Sequence, residues 1–174
     1  MKYVALLRGI NVGTTNRIDM KQLKALFEGL GYSNVSTYIN SGNIRFESEQ
    51  TAPEIRSTLE TSFREQLRYE IPTLVKSLDE MQRIAAEIPA HWQNDDEQRT
   101  DVAYLFDEID SIDIIDALPF NINVVNVRYT PGAVVWNLSR EHYTKSRLNK
   151  LIGHRLYQNM TLRNVNTARR LAEE

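Results

Sequence analysis

The feature that most restricts the fold is the order of strand and helix patterns, which runs β-α-β-β-α-β and then starts again. Residues 3–8 begin with a continuous apolar run, the pattern of a strand buried on both faces. Met20, Leu23, Leu26, Phe27 and Leu30 then form one helical stripe, opened by Asp19 with Gln22 and closed by Gly31. A hairpin follows, with strands over 35–39 and 43–47 around a turn at Ser41-Gly42. Thr51 and Glu54 open a second helix, carrying Ile55, Leu59, Phe63 and Leu67 at spacing four, and 71–77 reads as a strand.

The second half repeats this order. Ser77 and Glu80 cap an additional helix with Leu78, Met81, Ile84, Ala85 and Ile88, and a polar connector, "PAHWQNDDEQRT", marks the domain boundary. Strands are expected over 101–106, 122–129 and 133–138, with a helix over 108–118 and a turn at Pro131-Gly132. A helix from about Thr144 carries Leu148, Leu151 and Ile152, and 156–161 reads as a last strand before a terminal helix. Gly42 stands four residues before Phe46, and Gly132 four before Trp136, which sets the two hairpins about 90 residues apart. The expected fold is therefore α+β: two tandem ferredoxin-like subdomains, 1–76 and 101–174, around a helical connector over 77–100.

Composition narrows the chemistry. The chain has 174 residues, 41% of them hydrophobic, and no cysteine, so disulfide and thiolate chemistry are excluded. Its three histidines (His91, His142, His154) have no metal-ligand spacing, and no cofactor is called for. No apolar stretch approaches the length of a membrane span and no signal peptide is evident, so a cytoplasmic protein with no membrane partner is expected. The net charge of −2 conceals an asymmetry: residues 79–116 hold 12 acidic and 2 basic residues, whereas 140–170 hold 8 basic and 1 acidic. Either the two runs neutralise each other or the basic one faces an anionic ligand.

Four polar segments are candidates for binding. "RGINVGTTNR" (8–17) is neither a Walker A loop nor G-x-G-x-x-G. As a glycine-bounded loop between a strand and a helix, it could aim N–H groups at an anion, aided by Arg8, Asn11, Asn16 and Arg17. The alternative is that Gly9 and Gly13 only permit a difficult connection. "NSGN" makes a hairpin turn whose Asn40, Ser41 and Asn43 also offer polar handles, without the aromatic pair that RNA stacking would need. "YTKSRLNK" sets Lys145, Ser146 and Arg147 in a first helical turn, against the helix dipole, where a nearby anion would compensate. In "TLRNVNTARRL", Asn164 and Thr167 suit a helix cap, while Arg163 beside Asn164 could fix a loop or a ligand. No nucleophile elbow, zinc-protease helix or distinctive carboxylate pair is present.

The pieces "LLRGINVG", "TYINSGNIRF", "DVAYLF", "TKSRLNKL" and "TLRNVNTARRLAE" together resemble the bacterial family catalogued as domain of unknown function 1697, essentially from end to end. The resemblance implies a duplicated ferredoxin-like architecture and supplies no activity. The chain departs from the family pattern at Thr14, Arg17 and Val165, where glycine, lysine and an aromatic residue are usual. The resemblance rests on polar residues (Arg8, Asn11, Ser41, Asn43, Lys145, Arg147, Arg163, Asn164), which favours a shared site over four separate corners.

The leading expectation is a binding protein in which these segments line one basic cleft for a phosphate-bearing small molecule, a nucleotide or a nucleic-acid end. Two others stand beside it. One is an enzyme on a phosphorylated or nucleotide substrate, with Arg8, Lys145 and Arg147 stabilising charge. The other is a structural or interaction module without a small ligand. Oligomeric state is not legible.

Overall fold

A computed structural model describes residues 1–174. The chain divides into two compact units, Met1–Met81 (with Glu174) and Gln82–Glu173. The division falls inside the helix after residue 77, so the polar connector belongs to the second unit.

In the first unit the elements are β1 (Lys2–Leu7), α1 (Met20–Gly29), β2 (Ser33–Tyr38), β3 (Asn43–Glu47), α2 (Ala52–Ser62) and β4 (Thr73–Ser77). The strands form one antiparallel sheet in the order β2-β3-β1-β4, the ferredoxin-like arrangement. β1 is buried from Tyr3 to Leu7, as its unbroken apolar run required. Its Tyr3, Ala5 and Leu7 face a core with Leu23 and Phe27 of α1 and Ile55 and Leu59 of α2. Aromatic rings stack through this core: Phe27 meets Phe46 edge-on at 5.3 Å, and Tyr32 lies 5.0 Å from Phe46. Gly31, at φ +89°, ends α1 where a glycine was expected to stop it. α2 continues into one π-turn, Phe63–Leu67, and stops at Arg68 with φ +62°.

In the second unit α3 (Leu78–Ala86), begun in the first, leads to β5 (Gln98–Leu105), α4 (Ile114–Ala117), β6 (Asn126–Thr130), β7 (Ala133–Ser139), α5 (Tyr143–Ser146), β8 (Met160–Asn164) and α6 (Val165–Leu171). The sheet order is β6-β7-β5-β8, the first unit's order repeated. Trp136 takes the place of Phe46 in its core and meets Phe120 at 4.9 Å.

The duplication extends to single hydrogen bonds. Leu7 N–H donates to Gly42 O at 2.9 Å, and Leu105 N–H to Gly132 O at 2.9 Å. Arg8 N–H donates to Pro72 O at 3.0 Å, and Phe106 N–H to Asn159 O at 2.9 Å. Tyr3 pairs with Phe46 and Ser77, as Asp101 pairs with Trp136 and Asn164. Ser77 and Asn164 therefore correspond, and each caps the helix that follows. Ser77 Oγ accepts from Glu80 N–H at 3.1 Å, and Asn164 Oδ1 from Thr167 N–H at 3.0 Å. The repeating unit is thus β-α-β-β-α-β plus a seventh element, α3 or α6.

The second unit departs from the sequence expectations in five places, the first being β5, which begins at Gln98 and not at Asp101. The helix expected over 108–118 is a 3-10 turn, Asp107–Ile109, followed by the single turn of α4. The strand expected over 122–129 starts only at Asn126, because Asn121 Oδ1 accepts from Asn123 N–H and holds a turn first. The helix expected from Thr144 through Ile152 breaks at Arg147, whose φ is +63°. The last strand lies at Met160–Asn164 and not 156–161, a 3-10 turn occupying Tyr157–Asn159.

Candidate functional site

The loop after β1 is a small knot built around Asn11. Asn11 N–H donates to Asn16 O at 3.1 Å and Thr15 N–H to Val12 O at 3.0 Å, so residues 11–16 form a miniature hairpin. Gly9, Asn11, Gly13 and Asn16 all have positive φ, where glycine and asparagine are the residues least strained. The Asn11 side chain clasps the knot: Oδ1 accepts from Ile18 N–H at 2.8 Å, and Nδ2 donates to Ile18 O at 3.0 Å. The same Nδ2 donates to Asn40 O at 2.9 Å, which ties the loop to the β2–β3 turn. Asn16 Nδ2 reaches Gly9 O at 3.3 Å, and Arg17 Nη1 reaches Gly13 O at 3.2 Å.

The turn is ordered from inside. Asn43 is fully buried, and its Nδ2 donates to Tyr38 O and to Ser41 Oγ, each at 3.0 Å. Gly42 has φ +82° and lies against Leu7 and Ile10, so its lack of a side chain lets the turn close onto the loop. Gly9, Asn11, Gly13 and Arg17 are thereby joined to Asn40, Ser41 and Asn43 in one structure, with Arg8 at its base.

Beside the clasp opens a pocket of about 500 Å³, lined by Asn11, Arg17, Ile18, Asp19, Met20, Lys21 and Asn40. Three of these, Asn11, Arg17 and Asn40, are sequence candidates. The start of α1 is capped by Asp19, as its sequence pattern predicted, so its N–H groups are not left for a ligand as the anion reading of the loop required. Asp19 Oδ1 accepts from Lys21 N–H at 2.7 Å and from Gln22 N–H at 3.4 Å, so a carboxylate of the chain itself takes the anion's position. Sequence reasoning passed over Lys21. Side chains in a helix lean toward its N-terminus, so a lysine two residues after the cap reaches back over the preceding loop, and that was the available signal.

In the second unit the basic "KSR" segment is built differently from the expectation. Lys145, Ser146 and Arg147 end α5 and do not begin a helix, so Lys145 lies where the helix dipole favours a cation. The dipole argument for an anion there falls away. Ser146 is fully buried, its Oγ donates to Tyr143 O and accepts from Leu148 N–H at 3.1 Å, and its role is to turn the chain. Asn121 secures this corner through Lys145 O and Ser146 O, leaving the Lys145 and Arg147 side chains exposed.

Arg163 is 7% exposed, with Nη1 donating to Thr161 Oγ1 and to Leu162 O, each at 2.8 Å. Burial lowers its pKa to about 10, and desolvation raises that of Tyr104 nearby. Asn164 is the cap of α6, the structural one of its two sequence roles.

Against known proteins, residues 1–135 match the family described as protein of unknown function DUF1697. The chain belongs to that family. Among solved structures it is similar to the conserved bacterial protein SP0830 from Streptococcus pneumoniae, at 28% identity and a TM-score of 0.86, over 98% of this chain and 96% of that one. No curated protein matches the sequence. This likeness agrees with the duplicated α+β fold, and neither description names a ligand or a reaction. No helix is long and apolar enough to cross a membrane, and no group of three or more His, Asp or Glu side chains could hold a metal ion.

Proposed function

We propose that this member of the family binds a phosphate-bearing ligand in the pocket beside the Asn11 clasp, with Arg17 and Lys21 as the charged contacts. The observation that carries the reading is the lining of that pocket, where two exposed cations face it, Arg17 from a loop held in shape by its own hydrogen bonds and Lys21 from the first turn of α1. Asp19 is the one acidic group there, and its carboxylate is engaged by the N–H groups of α1, which offsets its charge toward a ligand. Asn11 serves by shape, since both ends of its amide are bonded within the fold, while Asn40 is a polar neighbour of the phosphate position. A preorganised loop adds affinity because little is left to order on binding.

The test is calorimetric titration of the full chain with inorganic phosphate and with adenosine 5′-monophosphate, beside Arg17→Ala and Lys21→Ala. Each substitution is expected to weaken binding about tenfold, the scale of one charge-assisted hydrogen bond. Absence of heat and of any thermal shift with either ligand at millimolar concentration would end the proposal.

A further inference from the structure

We infer that the second unit carries, independently of the Asn11 pocket, a docking surface for an anionic lipid membrane, formed by the turns between β7 and β8. These turns hold the place that α2 has in the first unit, since the two sheets repeat one strand order. The two copies share their inward packing and differ in charge. Ile55, Leu59 and Phe63 enter the core from the α2 segment, and Leu148, Leu151 and Leu156 from the later one. Residues 48–72 carry five glutamates against three arginines, with Arg56 bonded to Glu60 at 3.1 Å and Arg64 to Glu70 at 2.7 Å. Residues 140–159 carry five lysines and arginines against Glu141 alone. Arg140 is bonded to the connector. The other four, Lys145, Arg147, Lys150 and Arg155, are exposed and make no ion pair or side-chain hydrogen bond. The fold works at this position with balanced charge, so it does not account for four unpaired cations.

The same segments hold the two most exposed large hydrophobic side chains of the protein, Ile122 at 74% and Ile152 at 71%. Each follows the first residue of a hydrogen-bonded turn: Val124 N–H donates to Asn121 O at 3.1 Å, and His154 N–H to Leu151 O at 2.9 Å. Turn tips usually take small polar residues or proline, so neither backbone preference nor core packing explains an isoleucine at both. Backbone bonds string these tips to the cations. Asn121 N–H donates to Ser146 O at 2.9 Å, which sets Ile122 beside the stretch from Lys145 to Arg147. Lys150 N–H donates to Arg147 O, Leu151 N–H to Leu148 O and Tyr157 N–H to His154 O, each at 3.0 Å, so the chain runs through successive tight turns past Ile152 and Arg155.

Cations alone would suit any polyanion; aliphatic side chains among them select a lipid surface. A nucleic-acid strand offers phosphates to the cations but stacks its bases on rings. Tyr143 is the one exposed aromatic side chain here, and the Arg99 guanidinium already lies 5.5 Å from its ring centre. At an anionic bilayer the cations meet the headgroups while the isoleucines enter the boundary of the acyl chains. The expectation of no membrane partner rested on the absence of a spanning segment and a signal peptide, and surface attachment needs neither.

The test is co-sedimentation of the full chain with vesicles of phosphatidylcholine alone and of phosphatidylcholine with about one-third phosphatidylserine. The wild type is expected to bind the anionic vesicles at least about tenfold more tightly than the neutral ones, and to leave them as salt rises. Lys145→Ala with Lys150→Ala is expected to weaken that binding more than about tenfold. Ile122→Ser and Ile152→Ser are each expected to weaken it about fivefold with the salt dependence unchanged. Arg64→Ala with Arg68→Ala, in the corresponding segment of the first unit, should bind as wild type does. Absence of binding to anionic vesicles at low salt would overturn the inference. So would an equal loss in the first-unit variant, which would mark the attraction as diffuse, or isoleucine variants that bind like wild type. A single-stranded oligodeoxynucleotide titrated in parallel is the competing occupant: if it binds and the vesicles do not, a nucleic acid is the partner and the lipid surface is excluded.

Discussion

A methyl group on Gly42 would lie 2.7 Å from Leu7 Cβ and 2.8 Å from Ile10 Cδ1, at a φ of +82°. Gly42→Ala adds a left-handed alanine to an overpacked contact, and is expected to cost about 2–4 kcal/mol. Gly9→Ala, at φ +73° with nothing within 4 Å of the added carbon, meets only the backbone term, and should cost about 1 kcal/mol. Chemical denaturation of the two variants checks the difference; equal losses would mean that the turn does not depend on its fit against Ile10. The sequence marked both glycines, but only as a turn and a loop boundary, since nothing in a one-dimensional pattern says which one touches a neighbour. Asn11 presents the sharper case. Its Nδ2 faces two carbonyl oxygens, Ile18 O and Asn40 O, so Asn11→Asp turns two bonds into repulsions and should cost about 2–3 kcal/mol, more than Asn11→Ala. A melt in which the aspartate variant is the more stable would remove Asn11 from its place as the clasp.

At the scale of elements, legibility followed the strength of the local pattern. β1 and β3 in the first unit and the helices α1, α2 and α3 carry clear periodicity and explicit caps, and each lies close to its expected place. The segment 107–118 instead carries Asp107, Asp110, Ser111 and Asp113, whose side chains compete for the backbone. Asp110 Oδ1 accepts from Tyr129 OH at 2.8 Å and Gly132 N–H at 2.9 Å, and Ser111 Oγ accepts from Asp113 N–H at 3.3 Å, so a long helix is replaced by turns. Ser146 breaks the next helix by the same means. The start of α2 gives a pH test. Glu54 Oε2 accepts from Thr51 N–H at 2.8 Å and from Thr51 Oγ1 at 2.9 Å, and these bonds lower its pKa. A lowered folded-state pKa contributes stability that is complete above the ordinary carboxylate value and is lost as pH falls through the depressed one. Glu54→Gln should therefore melt lower than wild type near neutral pH, with the gap closing in acid. A gap constant across that range would show that the ionised carboxylate is not what the cap uses.

For the molecule as a whole, part of the opposed charge runs meets within the second unit. Two arginines of the basic run, Arg140 and Arg169, bond the acidic connector through its carbonyls and amides. Arg140 Nε donates to Asp95 O at 2.6 Å and Nη2 to Asn94 Oδ1 at 3.0 Å. Arg169 donates to Pro89 O at 3.1 Å and Gln93 Oε1 at 3.3 Å, and Asn166 Nδ2 reaches Asn94 O at 3.3 Å. Charge counting could anticipate an attraction between the runs but not its form, because carbonyl acceptors leave no mark on composition. A segment that reads as a loose linker is thus pinned along its length, which is why the division into units falls earlier, in α3. Pinned backbone resists proteases, since cleavage needs local unfolding. The double substitution Arg140→Ala, Arg169→Ala removes four of these bonds, and should make chymotrypsin cut near Trp92 at least about tenfold faster, the effect of losing roughly 1.4 kcal/mol of local stability. Global melting should fall less, because the sheet and core of the second unit are untouched. If wild type and variant are cut there at the same rate, the connector owes its order to its own turns, such as Gln93 N–H to Gln98 Oε1 and Glu97 N–H to Asp95 Oδ1. The basic run would then need a different reason for its charge, and an anionic ligand for the second unit would return as the leading one.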